Sequence, residues 1–600
     1  MAETAAEILN AYRAGAVSPE DIVARSFARI REHGDPAIFI ALREEAEVIA
    51  EARQLAQNGD KTLPLFGIPV AIKDNIDVEG LPTTAACPAY SYRPTRDAAC
   101  VARLREAGAL ILGKTNLDQF ATGLVGVRSP YGICRNLFDP KLIPGGSSTG
   151  SAIAVAAGLA PLALGTDTAG SGRVPAGFSN IVGLKPSRGV ISTAGVVPAC
   201  RTLDCVSVFA LTVDDATAML NVVAGLDVAD PFSRARPMHA VGPVPSGVRL
   251  GVPLSGQCLF FGDRASEAAY QAAVARFAEL GANIVEFDIE PFYAAARLLY
   301  EGPWVAERYL TVRALIASAP ESLHPVTRQV LLAGAHGTAA EAFAAFYQLE
   351  ALRRVRDHTF RTIDAMLLPT APTIYTIEQV FADPIGLNSR LGTYTNFVNL
   401  LDMCGLAVPA SMRPDGTPFG ITLLAPAGED AALGAIGREF HKASGLPLGA
   451  LKQPQPALAS PVAMPAEGEV PIAVVGAHLS GMPLNGELRS VGGRLVERTT
   501  TAPHYRLYAL SGTKPAKPGL LRVKNGAGAA IEVEVWSLSE IAFGRFVAAV
   551  PPPLSIGTLE LDEGRSVKGF LVEAEAVADA RDISSFGGWR AFMAQEDLLA

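Results

Sequence analysis

The first 60 residues carry apolar positions at helical spacing between polar breaks. Residues 5–14 read as an amphipathic helix, and Ser18-Pro19-Glu20-Asp21 is a start signal for a second helix over about 22–33. From residue 65 the pattern changes. Short apolar runs at 68–72, 109–112 and 162–164 alternate with glycine-rich turns and with helical stretches near 97–107 and 150–158. The same alternation continues through a strand at 248–252, a helix at 265–280 and a strand at 283–287, which predicts a mixed β-sheet covered by helices, an α/β fold. The longest apolar stretch, 151–165, falls short of the ~20 residues that a bilayer span needs and is expected to be a buried helix.

Near residue 451 the periodicity stops in a proline-rich run, and beyond it β-type runs appear at 472–475, 531–536 and 568–572. The expected organisation is a first domain over 1–450, a linker over 451–469 and a smaller, mainly β domain over 470–600, with no internal repeat. A chain of 600 residues with 49% hydrophobic and 18% charged positions can bury more than one core. Its net charge of −9 comes without a basic stripe, which excludes nucleic acid as an expected partner. The amino terminus has neither a cationic start nor an apolar signal core, so no secretion and no membrane association are expected. Seven cysteines, an odd number without a CxxC pair, argue against a disulfide framework and against a metal site, and a cytoplasmic location is expected.

Chemistry concentrates in 144–175, PGGSSTGSAIAVAAGLAPLALGTDTAGSGRVP, where a glycine-serine loop opens a helix and a second glycine-flanked serine follows 24 residues after the first. The loop lacks the Lys-Ser/Thr pair of a phosphate-binding P-loop. No histidine occurs between His33 and His239, so a serine nucleophile here has no sequence-local imidazole. Lysine is the other base available to such a nucleophile. Lys73 ends the apolar run in FGIPVAIKDNID, which would put its amine at the end of a buried strand. Burial can lower a lysine pKa by several units, and a salt bridge to Asp74 or Asp77 is the competing role.

Lys73, Gly145-Gly146-Ser147-Ser148 and Gly165-Thr166-Asp167-Thr168-Ala169-Gly170-Ser171 together resemble the amidase signature family. The resemblance implies a Ser-Ser-Lys triad of Lys73, Ser147 and the nucleophile Ser171, a cis peptide before Ser147, and no cofactor. Backbone amides of Thr168, Ala169, Gly170 and Ser171 are the candidate oxyanion hole. Ser148 is expected to cap a helix or to donate a hydrogen bond, Asp167 to orient the loop, and Arg173 either to pair with a carboxylate or to meet substrate. Gly172 and Arg173, in AGSGRVPA, look like the allophanate hydrolase branch of the family.

That branch implies an amidohydrolase acting on allophanate, releasing ammonia and N-carboxycarbamate. Tyr300 and Arg308, eight residues apart, are the candidate carboxylate clamp, expected on one face of one helix. Tyr394 and Asn396 fall in a stretch similar to a late loop of the family that faces the active site. The segment beyond 470 is similar to a γ-glutamyl cyclotransferase-like domain, in which His478 is the candidate to assist decarboxylation. The resemblance also implies a homodimer and a separate biotin-dependent urea carboxylase as functional partner, since this chain has no biotin-attachment-like AMKM sequence. A broader amidase, a component of an amidotransferase and a non-catalytic assembly protein are the alternatives.

Overall fold

The computed structural model describes residues 3–458, 464–524 and 526–599. Its described residues divide into two compact units, one of 3–238 with 249–458, the other of 239–248 with the residues from 464 onward. The short segment 239–248, which the sequence pattern leaves inside the first domain, therefore packs with the second unit. The middle of the expected linker, 459–463, lies outside the described residues.

The first unit is built on an 11-stranded mixed sheet. Its strands are β1 (Phe39–Leu42), β2 (Pro69–Lys73), β3 (Leu110–Thr115), β4 (Leu162–Asp167), β5 (Val182–Lys185), β6 (Cys205–Ala210), β7 (Arg249–Pro253), β8 (Asn283–Phe287), β9 (Ala365–Pro369), β10 (Met403–Met412) and β11 (Pro418–Pro426). They lie in the order β1-β3-β2-β4-β6-β5-β10-β11-β9-β7-β8. At the centre of the first half, β2 runs parallel to both β3 and β4, and every residue of the three strands is buried. Strands covered on both faces read as near-continuous apolar runs, which is why 68–72 and 109–112 are legible without alternation.

Local chemistry sets the helix ends. The second helix spans Pro19–His33, three residues longer at its start than the apolar spacing suggests. Ser18 and Asp21 form a reciprocal capping box, Pro19 occupies the first turn, and Gly34 closes the helix in the left-handed conformation. The stretch 151–165 is not one buried helix. It divides into the end of a helix, Thr149–Ala156, and the start of β4, because Gly158 turns the chain at φ +66° and Pro161 follows before a new turn could form. Among the described residues no helix is long and apolar enough to cross a membrane.

The second unit holds a five-stranded and a three-stranded sheet over one apolar core that includes Ile472, Tyr505, Val535, Trp536 and Leu559. The β-type runs of the sequence fall on strands Glu469–Val474, Glu532–Ser539 and Ser566–Val572, neighbours in the larger sheet.

Candidate active site

Strand β2 carries Lys73 to its carboxyl end, the side of a parallel array on which α/β sheets present their ligand sites. The side chain is fully buried. Its Nζ lies 2.9 Å from Ser147 Oγ, 2.9 Å from Ser148 Oγ and 2.7 Å from Thr166 Oγ1. Among the described residues no carboxylate touches it: Asp74 turns instead to Lys114, 3.4 Å away, and Asp77 accepts from the Tyr92 hydroxyl. Burial lowers the Lys73 pKa to about 7, against the opposing fields of Asp118, Asp167 and Asp204. An amine so placed is neutral in a large fraction of molecules near pH 7 and can take a proton from a hydroxyl.

Ser147 stands in the loop that leads into the helix Thr149–Ala156, and the peptide bond before it is cis. Several bonds hold this loop. The Ser147 carbonyl accepts from the Asp118 amide at 3.2 Å, the Gly146 amide donates to Leu124 O at 2.9 Å, and Thr149 Oγ1 donates to Gly145 O at 2.7 Å. Only glycine fits at 146, since a β-carbon there would collide with the Asp118 carboxylate and approach the Gly126 amide to 2.7 Å. Ser148 does not cap the helix with its side chain; its hydroxyl donates to Thr166 O at 3.0 Å and sits beside Lys73, the hydrogen-bonding role.

Ser171 lies in the turn after β4, ahead of the short helix Val174–Phe178, and is buried. Asp167 organises that turn. Its carboxylate accepts from the Gly170 amide at 2.9 Å, the Gly172 amide at 3.0 Å, and both Nε and Nη2 of Arg173 at 2.9 and 3.0 Å. Burial alone would raise the Asp167 pKa, yet the Arg173 guanidinium holds it below the usual carboxylate range. Arg173 is thus tied to a carboxylate. The bond from Gly170 also alters the expected oxyanion hole, because an amide already donating to Asp167 is not free for substrate. No hydrogen bond joins Ser171 to Ser147 or Lys73, so the structure brings Lys73 and Ser147 into contact and leaves the last step of the expected relay open.

Tyr300 and Arg308 are not on one helix. Gly302 and Pro303 break the chain between helices Glu290–Glu301 and Trp304–Ser318, and Tyr300 belongs to the first, Arg308 to the second. The bend nevertheless stacks them, with the Arg308 guanidinium carbon 5.6 Å from the Tyr300 ring centroid. Arg308 is buried, and its Nη1 donates to Thr122 Oγ1 at 3.3 Å. Tyr394 is occupied structurally, its hydroxyl donating to Leu259 O at 2.7 Å, while Asn396 is buried with its Oδ1 unpartnered. In the second unit His478 Nε2 lies 2.9 Å from Glu487 Oε2, with its ring stacked on Phe570 at 5.1 Å. Burial lowers the His478 pKa.

Three acidic or hydroxyl groups at the site carry no local sequence signal. Thr166 is inside the serine motif but contacts the amine directly. Asp118 and Asp204 come from elsewhere in the chain: Asp118 accepts from the Gly126 and Arg128 amides, and Asp204 from Thr168 Oγ1 at 2.5 Å and the Ala199 amide at 2.9 Å. Burial raises the Asp204 pKa to about 6 despite these bonds. Spacing along the chain could not have joined them to Lys73.

The family model described as Amidase matches residues 21–433, and that described as Allophanate hydrolase C-terminal domain matches 470–594. The chain belongs to the amidase family. This amidase is 43% identical over 93% of its length to a urea amidolyase of Lachancea kluyveri, of which it spans 31%. It thus spans about a third of the length of that curated relative. One subunit of the glutamyl-tRNA(Gln) amidotransferase of Symbiobacterium thermophilum is 36% identical, over 73% of the amidase and 96% of the relative. Among solved structures, the Kluyveromyces lactis allophanate hydrolase superposes with a TM-score of 0.84 at 39% identity, covering 99% of both chains.

Proposed function

We propose that this amidase hydrolyses the terminal amide of allophanate, urea-1-carboxylate, by Ser-Ser-Lys chemistry. The reading is carried by Lys73, a buried amine with a pKa near 7 whose Nζ is 2.9 Å from Ser147 Oγ. In the forward half, Ser171 Oγ attacks the amide carbonyl and gives its proton to Ser147, which passes its own to neutral Lys73. Negative charge gathers on the carbonyl oxygen, facing the amides of Thr168, Ala169 and Ser171, with Gly170 excluded by its bond to Asp167. The Lys73 ammonium then returns its proton by the same route to the departing nitrogen, which leaves as ammonia. Water repeats the cycle on the acyl-serine and frees N-carboxycarbamate, which loses carbon dioxide.

Tyr300 and Arg308 hold the substrate carboxylate in this reading, and their stacking supports it. His478 is proposed to assist the decarboxylation as a neutral imidazole, a state its lowered pKa favours. The similarity to urea amidolyases supports a biotin-dependent urea carboxylase as the source of allophanate. A cytoplasmic homodimer completes the proposal; seven free thiols accord with a reducing compartment. The amidotransferase similarity favours a second reading, glutamine hydrolysis. Ammonia release measured on allophanate, malonamate, glutamine and benzamide separates the two: allophanate is expected to be preferred, and preference for any other amide contradicts the assignment. Unchanged release after Ser171→Ala would remove the catalytic claim.

A further inference from the structure

Thr122 is flanked by two buried arginines. Arg128 Nη1 donates to the Thr122 carbonyl at 3.0 Å, and Arg308 Nη1 donates to the Thr122 hydroxyl at 3.3 Å. Both side chains belong to residues only 2% exposed, so both charges sit in a low dielectric. Their protein partners are uncharged oxygens, Thr122 for both and the Pro384 carbonyl, 2.6 Å from Arg128 Nη2. Among the described residues neither guanidinium has a carboxylate within salt-bridge distance, although the buried Arg173 has Asp167 at 2.9 Å. The Nε of Arg128 and the Nε of Arg308 are each buried without a hydrogen-bond partner. A buried charge is tolerated when paired, and two unpaired cations on one threonine call for an anion.

The place of this pair relates it to the nucleophile loops. The Arg128 amide donates to Asp118, whose own amide holds the Ser147 carbonyl at 3.2 Å. Arg308 is within electrostatic reach of Asp204, which fixes Thr168 at the start of the Ser171 turn. Tyr300 is a charge neighbour of both arginines. The two cations therefore border the serine loops from one side, bridged by Thr122 and faced by one tyrosine.

We propose that Arg128 is a second substrate-binding cation, acting with Arg308 and Thr122 to hold the carboxylate end of the substrate. This rests on the allophanate reading and extends its clamp from one arginine to two. A planar carboxylate can take donors from two guanidiniums at once, and each unpaired Nε supplies one aimed donor. The arrangement also selects: a neutral amide of the same shape leaves both cations unpaired, so discrimination comes from the charge rather than from pocket size.

The test uses malonamate and its neutral counterpart malonamide, which share a carbon skeleton, titrated calorimetrically into the full chain carrying Ser171→Ala. Adding Arg128→Gln is expected to weaken malonamate by about tenfold or more and to change malonamide by less than about twofold. Arg128→Lys keeps the charge and loses the fork, and is expected to weaken malonamate by a smaller factor, again without effect on malonamide. Equal weakening of both ligands, or unchanged malonamate binding in either variant, overturns the proposal. Should Arg128→Gln not fold, the Arg128→Lys titration decides alone by the same criterion. Because no turnover is read, the outcome is separate from the substrate assignment: an unmodified chain that prefers glutamine sinks allophanate, whereas the malonamate–malonamide difference reads the two-arginine clamp itself.

Discussion

Two amines at the ends of neighbouring strands show what turns a buried lysine into a base. Lys73 ends β2 and Lys114 lies in β3, paired in register with Ile72, and both are fully buried. Burial lowers the pKa of each. Their surroundings differ. Lys114 Nζ reaches Asp74 Oδ1 at 3.4 Å as well as Thr83 Oγ1 at 2.9 Å, so a carboxylate in contact sustains its charge. Lys73 meets hydroxyls, and the nearest carboxylates act on it only through space. The same depth in the same sheet thus makes a structural cation of one lysine and a proton acceptor of the other.

Exchanging each amine for a methionine gives the widest separation. Lys73→Met is expected to cut kcat by about a thousandfold or more, measured as ammonia release, while the folded state is kept or strengthened. Lys114→Met is expected to do the opposite, costing about 3–5 kcal/mol in denaturant unfolding because Asp74 is left buried and unpaired, with kcat of the folded fraction little changed. Similar kinetic losses in both variants would erase the contrast.

A smaller effect follows from pH. The sign for Lys73 is that of a base whose folded pKa, about 7, lies below its unfolded value of 10.5. The unfolded chain binds the extra proton between these values, so this residue makes stability rise with pH across that window and costs most below it. Lys73→Met should therefore stabilise the protein more at pH 6 than at pH 10. Activity should have an acid limb near pH 7, where the amine becomes neutral. Asp204→Asn, which removes one of the anions favouring the ammonium, should move that limb to lower pH; movement upward would contradict the electrostatic account.

Much of this contrast is legible along the chain. The run FGIPVAIK announces a buried strand with a lysine at its end, and the glycine-serine loop and the GTDTAGS turn announce two polar junctions near a sheet. What distinguishes Lys73 from Lys114 is not legible, since both follow apolar residues in β-type runs and the difference lies in Thr84 and Asp74 on one side and Ser148 and Thr166 on the other. Continuous helical spacing across 300–308 likewise conceals a break, because Gly302-Pro303 ends one helix and begins another while keeping Tyr300 and Arg308 in contact. Gly170 was expected to serve the oxyanion through its amide, a role that a carboxylate three residues earlier in the turn withdraws. Such assignments depend on where side chains converge, which neither periodicity nor motif spacing encodes.

The most direct measurement is the titration of the Lys73 amine itself, by heteronuclear NMR on lysine-labelled protein with the resonance assigned through its loss in Lys73→Met. The account predicts a midpoint near 7. A midpoint near 10.5, the value of an unperturbed lysine, would contradict it.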